Sequence, residues 1–285
     1  MIDVILDTLL DGAKLLPFLF LTYLLLEFIE HKAKEKTENI MKRSGALGPA
    51  IGGLLGAVPQ CGFSASASNL YAENIITAGT LIAVFLSTSD EMLPVMIAET
   101  APATLIIKIV LLKVVLGIVV GFIVDAVTVL IGKKKREIDI ESFCRDENCG
   151  CEEGGIFRSA IIHTVKIALF VIIISFALNT LIYFIGEETL GNLISGLPLA
   201  VGPLASALLG LVPNCASSVV ITKLYLGGVI SSGSLLAGLL SASGVGMLVL
   251  FKVSKKKKSN LLILATTYGA GVIVGLLVDI LKITF

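Results

Sequence analysis

One stretch of this chain occurs twice, and its form limits the folds open to the rest. Leu54-Leu55-Gly56-Ala57-Val58-Pro59-Gln60-Cys61 returns as Leu208-Leu209-Gly210-Leu211-Val212-Pro213-Asn214-Cys215. In each copy an apolar run meets a proline, then a carboxamide and a thiol. Proline lacks the backbone donor and disfavours helix in the residue before it, so each copy reads as an interrupted helix. Small polar residues follow: Ser64, Ser66, Ser68 and Asn69 in the first copy, Ser217 and Ser218 in the second. Interrupted apolar helices at matching positions of two halves are the best sequence pointer to a membrane carrier's binding site.

The match extends well beyond the interruption. A constant offset of 154 pairs Gly48-Pro49 with Gly202-Pro203, Leu70-Tyr71 with Leu224-Tyr225, and Gly79 with Gly233. It also pairs Ser87 and Ser89 with Ser241 and Ser243, and Gly121 and Asp125 with Gly275 and Asp279. Between residues 48 and 89, 18 of 42 positions are identical across the offset. Two homologous halves, about 1–131 and 155–285, therefore flank a linker at 132–154.

Composition places these halves in a bilayer. Only 15% of residues are charged and mean hydropathy is +0.96, where a soluble domain would carry roughly 25% charged residues. The charges cluster, and the apolar runs between them reach the ~20 residues that span hydrocarbon. Net charge is zero, which removes any case for nucleic-acid binding. Asp3, Asp7 and Asp11 stand where a signal peptide would be basic, so the start reads as a first helix, about Leu9 to Phe28. Arms at about 45–58 and 61–73 follow, then helices at about 75–98 and from Pro102 to Ile131, and the second half restarts near Ile156.

Loop charges predict how the halves are related. The loop with Lys32, Lys34, Lys36, Lys42 and Arg43 is basic, while its counterpart around Glu187-Glu188 is acidic. Glu99-Thr100 faces a counterpart containing Lys252 and Lys255 to Lys258. Lys and Arg mark cytoplasmic loops, so equivalent loops lie on opposite faces. Each arm is ~20 Å long as helix against ~30 Å of hydrocarbon, so the broken stretch re-enters or tilts and returns to its starting face. The expected fold is an all-α polytopic membrane protein of two inverted repeats. Each has about five helical segments, and the broken-helix hairpins meet near the midplane. The linker is expected in the cytoplasm and both termini outside, in the cell (inner) membrane.

The candidate site follows from that geometry. Gln60, Cys61, Asn214 and Cys215 sit at the paired breaks, with Ser64, Ser87, Ser218 and Ser241 beside them. Buried cysteine also behaves as a small hydrophobe, and carboxamides also cap unwound backbone. Asp90 and Glu91 fall past the middle of the 75–98 span, with Pro94 weakening the helix. Ionisable groups inside a span are costly and mark ion or proton paths. Their counterparts are Gly244 and Val245, so the carboxylates break the symmetry, as a function added to one half would. Lys113 lies deep in the next helix and would need a carboxylate, Asp90 or Glu91; Lys108 reads as snorkelling. Lys223 falls inside the second hairpin arm, and Asp125 and Asp279 read as interfacial. Cys144, Cys149 and Cys151 among acidic linker residues suit a soft or borderline ion, in a spacing that fits no standard zinc module.

The paired Pro-Gln-Cys and Pro-Asn-Cys breaks, the segment Ser87-Thr88-Ser89-Asp90-Glu91-Met92-Leu93-Pro94 and the cysteine-bearing linker resemble the ten-helix heavy-metal exporters. That family is related to arsenical permeases, and its members are labelled arsenic efflux proteins or manganese transporters. The resemblance implies ten helices and export. It implicates Pro59, Gln60, Cys61, Ser87, Asp90, Glu91, Pro213, Asn214 and Cys215. Ligand chemistry leaves the substrate open: carboxylates and carboxamides suit manganese, thiols suit arsenite, and helix N-termini with serines suit an anion.

Three function classes remain. The first is a secondary transporter working by alternating access, since no G-x4-G-K-[ST] motif is present to use a nucleotide. The second is an anion carrier. The third is an intramembrane lipid-phosphate enzyme, disfavoured because the arginines, Arg43, Arg136, Arg145 and Arg158, all lie in or beside cytoplasmic segments. No resident cofactor is expected beyond a transported or regulatory metal ion. The expected partners are the lipid bilayer and a small ion, and a homo-oligomer is a further option.

Overall fold

A computed structural model of the chain describes residues 47–58, 61–89, 92–131, 151–185, 201–213 and 215–285, with positions 10, 13, 16, 17, 19–21, 23 and 24 before them. Among the described residues there are helices and no strand. The first series is α1 (Gly48–Gly56), α2 (Cys61–Ala72), α3 (Ala78–Ser87), α4 (Met92–Ala98) and α5 (Ala103–Leu130). After α6 (Cys151–Ile185) comes a second series: α7 (Gly202–Gly210), α8 (Cys215–Leu226), α9 (Ser232–Ser241), α10 (Gly246–Val253) and α11 (Lys257–Ile280). The first three helices of the two series start and stop 154 residues apart at every boundary.

Local chemistry sets these boundaries. Pro49 and Pro203 stand in the first turns of α1 and α7, where a missing N–H is no loss. Thr77 caps α3 by accepting from the Thr80 amide at 3.1 Å, and Ser231 caps α9 from Ser234 at 3.0 Å.

The helix expected over 75–98 is two helices. Its break falls after Ser87, ahead of Pro94, which is the third residue of α4, where proline is tolerated. Ser87 donates to the Ala83 carbonyl at 2.8 Å and Thr88 to Val84 at 2.7 Å. Such hydroxyls offer the helix end an alternative to its own ladder. In the second series α9 ends at Ser241, and Gly244 takes φ +54 before α10 begins. The last residues of the expected linker 132–154 are helical, because α6 begins at Cys151.

Among the described residues, four segments are long and apolar enough to cross a membrane: 78–98, 103–130, 232–253 and 257–280. The two that contain breaks are 69% and 89% buried, and the two long helices α5 and α11 only 28% each. The broken helices are thus the centre. α5 and α11 are outer staves that present Ile107, Leu111, Val115, Leu261, Ile273 and Leu277 outward.

Within each repeat, α3 or α9 is held against its outer helix by a carboxylate clamp. Asp125 of α5 accepts from Thr77 Oγ1 at 2.6 Å and from the Gly79 amide at 2.9 Å. Asp279 of α11 does the same with Ser231 Oγ (2.8 Å) and the Gly233 amide (2.9 Å). Both aspartates, read from the sequence as interfacial, accept hydrogen bonds at a neighbour's helix N-terminus. Replacing either by Ala should cost about 1–2 kcal/mol, the range of a lost N-terminal cap. A thermal-shift measurement should give near-equal losses for Asp125→Ala and Asp279→Ala, and unequal losses would mean that the two clamps carry different loads.

The three helices of each clamp touch without side chains between them. A Cβ on Gly121 would lie 2.6 Å from the Gly79 carbonyl oxygen, 2.9 Å from Pro49 Cβ and 3.0 Å from Ala83 Cβ. Gly275 repeats this against Gly233, Ala237 and Pro203.

Contacts between the series are crossed. α2 packs more extensively on α10 than on its own α3, and α4 packs on α8. Ser68 donates to the Gly246 carbonyl at 2.7 Å, Tyr71 OH meets Ser259 Oγ at 2.7 Å, and Lys256 Nζ donates to Asn74 Oδ1 at 2.7 Å. At the other end Ala101 and Leu105 pack with Leu224 and Tyr225 on one apolar cluster.

Candidate functional site

The site is built where the central helices stop. Gly56, at the end of α1, packs against the end of α3 so closely that a Cβ would run into Ser87 Oγ and the Val84 carbonyl. Gly210 meets Gly238 of α9 in the same way. Each proline-marked end therefore lies beside the point where its own central helix breaks. Ser64 and Ser68, in the first turns of α2, lie against Gly246 just past the other repeat's break.

This neighbourhood is polar and dry. Ser64, Ser68, Ser87, Ser206, Ser241 and Thr267 are fully buried, and Ser89, Ser243 and Lys113 are 1% exposed. In the first repeat the hydroxyls are engaged: Ser87 with Ala83, Thr88 with Val84, and Ser89 Oγ with the Ser87 carbonyl at 3.1 Å. The ammonium of Lys113 donates to the Thr88 carbonyl, at the C-terminal end of α3. A cation there meets the negative end of the helix dipole. In the second repeat Ser217 donates to Val212 at 3.3 Å and Thr222 to Ser218 at 2.7 Å. Ser206, Ser241 and Ser243 leave their hydroxyls without a partner among the described residues.

The sequence-derived candidates fall into three groups. Ser64, Ser87, Ser218, Ser241 and Lys113 are buried near the breaks. Gln60, Asp90, Glu91, Asn214, Cys144 and Cys149 lie outside the described residues, while Cys61, Cys215 and Cys151 open α2, α8 and α6. The chain on either side of Asp90-Glu91 is buried: Ser89 is 1% exposed and Met92 0%. Lys108 and Lys223 are exposed, so neither shares the interior with Lys113. Among the described residues no three His, Cys, Asp or Glu side chains converge as a metal site.

Several buried polar residues were not singled out from sequence. Tyr23 donates to Asn69 Oδ1 at 3.0 Å, tying the N-terminal helical segment to α2. Thr267 is the positional counterpart of Lys113 across the offset of 154. That offset was the signal that could have found it.

A family model described as "Putative, 10TM heavy-metal exporter" matches residues 1–197. The chain belongs to this family. It is therefore a multi-pass membrane protein of a family described as exporters, and the paired breaks lie in its most buried spans. No curated protein and no solved structure matches it.

Proposed function

We propose that this member of the heavy-metal exporter family is a secondary-active carrier. It exports a metal or metalloid of the manganese or arsenite class, by alternating access of two oppositely inserted repeats. The observation that carries the reading is the interruption of both central helices at equivalent positions, with a buried ammonium at one of them. Unwound backbone and half-helix ends at depth are tolerated where they are buried in protein or line a cavity, and paired in two repeats they are the usual frame of a carrier's binding site.

The crossed contacts support opposite insertion. Asn74 follows α2 and precedes the α3–α4 span; Lys256 follows the α9–α10 span. Their 2.7 Å hydrogen bond joins the entry of one span to the exit of its counterpart, as antiparallel repeats require. With Lys255 to Lys258 on the cytoplasmic side, the linker is cytoplasmic and both termini are outside the inner membrane. A cysteine replacing Lys255 should then be labelled only from the cytoplasm, and one replacing Thr100 only from outside. Labelling of both from one face excludes the inversion.

Substrate contacts are assigned to Gln60, Cys61, Asn214 and Cys215 with Ser64, Ser87, Ser218 and Ser241, and proton coupling to Asp90 and Glu91 with Lys113 nearby. Cys144, Cys149 and Cys151 are assigned to regulatory metal binding. The deciding experiment is uptake into inverted vesicles, screened across manganese, zinc, arsenite and phosphate. Metal or arsenite uptake dissipated by a protonophore supports the proposal. Phosphate uptake alone would replace it with an anion carrier whose ligands are the N-termini of α2 and α8.

A further inference from the structure

The two breaks have the same backbone frame and different electrostatics. A Cβ on Gly117 of α5 would lie 2.8 Å from the Ala83 carbonyl and 3.4 Å from the Ser87 amide. On Gly271 of α11 it would lie 2.7 Å from the Ala237 carbonyl and 3.5 Å from the Ser241 amide. One helical turn before these glycines stand Lys113 and Thr267, 1% and 0% exposed. Across the offset of 154, Thr267 is the counterpart of Lys113 and Ala242 that of Thr88.

In the first repeat the end of α3 is thus neutralised by a covalently attached monovalent cation. The second repeat has a buried threonine, Thr267, at the equivalent position instead. Thr267 Oγ1 donates to Ile263 at 2.5 Å, which leaves its oxygen lone pairs as electron donors. Two more buried hydroxyls flank the break, Ser241 and Ser243, and neither has a partner among the described residues. Gly271 lies against Ser241 Oγ, so that hydroxyl faces α11 on the side where Thr267 stands. Orphaned buried hydroxyls cost about 1–3 kcal/mol each unless something satisfies them.

We infer that the second break binds a monovalent alkali cation of sodium's class, held by Ser241, Ser243, Thr267 and the carbonyl end of α9. The donors are all neutral oxygens, which suit a hard ion. The second repeat itself carries Gly244 and Val245 at the positions equivalent to Asp90 and Glu91, so it offers neutral oxygens where the first repeat has carboxylates in sequence. A single positive charge matches what Lys113 supplies in the other repeat. Use of this ion to drive transport rests on the carrier reading above; its binding does not.

The test is thermal unfolding of the purified full chain in sodium, choline or manganese chloride at constant ionic strength. Sodium should raise Tm saturably over choline, as a ligand of the native state must. Ser243→Ala should weaken the apparent sodium affinity about tenfold or more. Thr267→Lys should make Tm independent of sodium, because the ammonium takes the ion's place. If that variant does not fold, Ser241→Ala provides the second reading and should weaken sodium binding similarly. Equal Tm in sodium and choline overturns the inference. So does a sodium response unchanged in Ser241→Ala and Ser243→Ala, or a response to manganese alone. Sodium-dependent stability in a protein that moves no metal in vesicles would keep the site and remove the carrier reading.

Discussion

Asp90→Asn and Glu91→Gln should each leave the protein folded and inserted while reducing coupled efflux at least ~10-fold, the effect of about 1.4 kcal/mol on one step. An unpaired charge inside a membrane span costs several kcal/mol. Neutralising one therefore relieves a cost rather than imposing one, and folding should survive. Lys113 keeps the Thr88 carbonyl as acceptor in either variant. On the proposed coupling role, what disappears is a group that alternately holds a proton or a cation, and with it the pH dependence of transport if protons drive it. Adding the carboxylates to the other half, as Gly244→Asp with Val245→Glu, should not restore activity if, as proposed, that half approaches the site from the opposite face. Flux and its pH profile in vesicles are the measurement. Wild-type rates at every pH in both variants would remove these residues from the path.

Gly121→Val should abolish recovery of folded protein. Overpacking in an ordinary core costs about 1–3 kcal/mol, because neighbouring side chains can move. Here the obstacles are the Gly79 carbonyl at 2.6 Å, the Pro49 ring and Ala83 Cβ, on two other helices, and none is the free end of a flexible side chain. Relief requires parting α1, α3 and α5, which also pulls Asp125 from Thr77 and Gly79. The loss should approach the ~5–15 kcal/mol that holds a whole domain together. Gly269 is the control: a Cβ there meets nothing within 4 Å. Gly269→Ala should be neutral or stabilising by about 0.4–1 kcal/mol. Monodisperse yield and Tm distinguish the two, and normal yield from Gly121→Val would show that the helices are not in backbone contact.

The repeat and the interruptions at Pro59 and Pro213 were legible because proline and glycine punctuate the chain wherever they stand. The end of α3 was less so. Pro94 drew attention as the weak point, yet proline is harmless in a first turn, and the break belongs to Ser87, Thr88 and Ser89, whose hydroxyls take up helix carbonyls. Asp125 looked interfacial because its partners, Thr77 and Gly79, lie 48 and 46 residues away and no local pattern links them. The identical spacing of Gly233 and Asp279 was the available clue. Lys113 was read as buried, and a carboxylate was sought for it. Its ammonium donates to a main-chain carbonyl, a group every residue carries and no sequence pattern announces, while Asp90 and Glu91 lie outside the described residues.

The exchange of short helices between the repeats has a consequence for how such a chain can be taken apart. α2 is joined by sequence to α1 and α3 but rests mainly on α10, and α4 reaches across to α8. Half a chain is therefore not half a protein. A fragment carrying only the first series would hold out a polar, serine-bearing α2 with no seat for it. Its α4 would expose Met92 and Met96, which the intact molecule buries with Ile221. The duplicated unit is complete only when another copy hooks into it, so a single ancestral unit would have needed a second of its kind before it could close around anything.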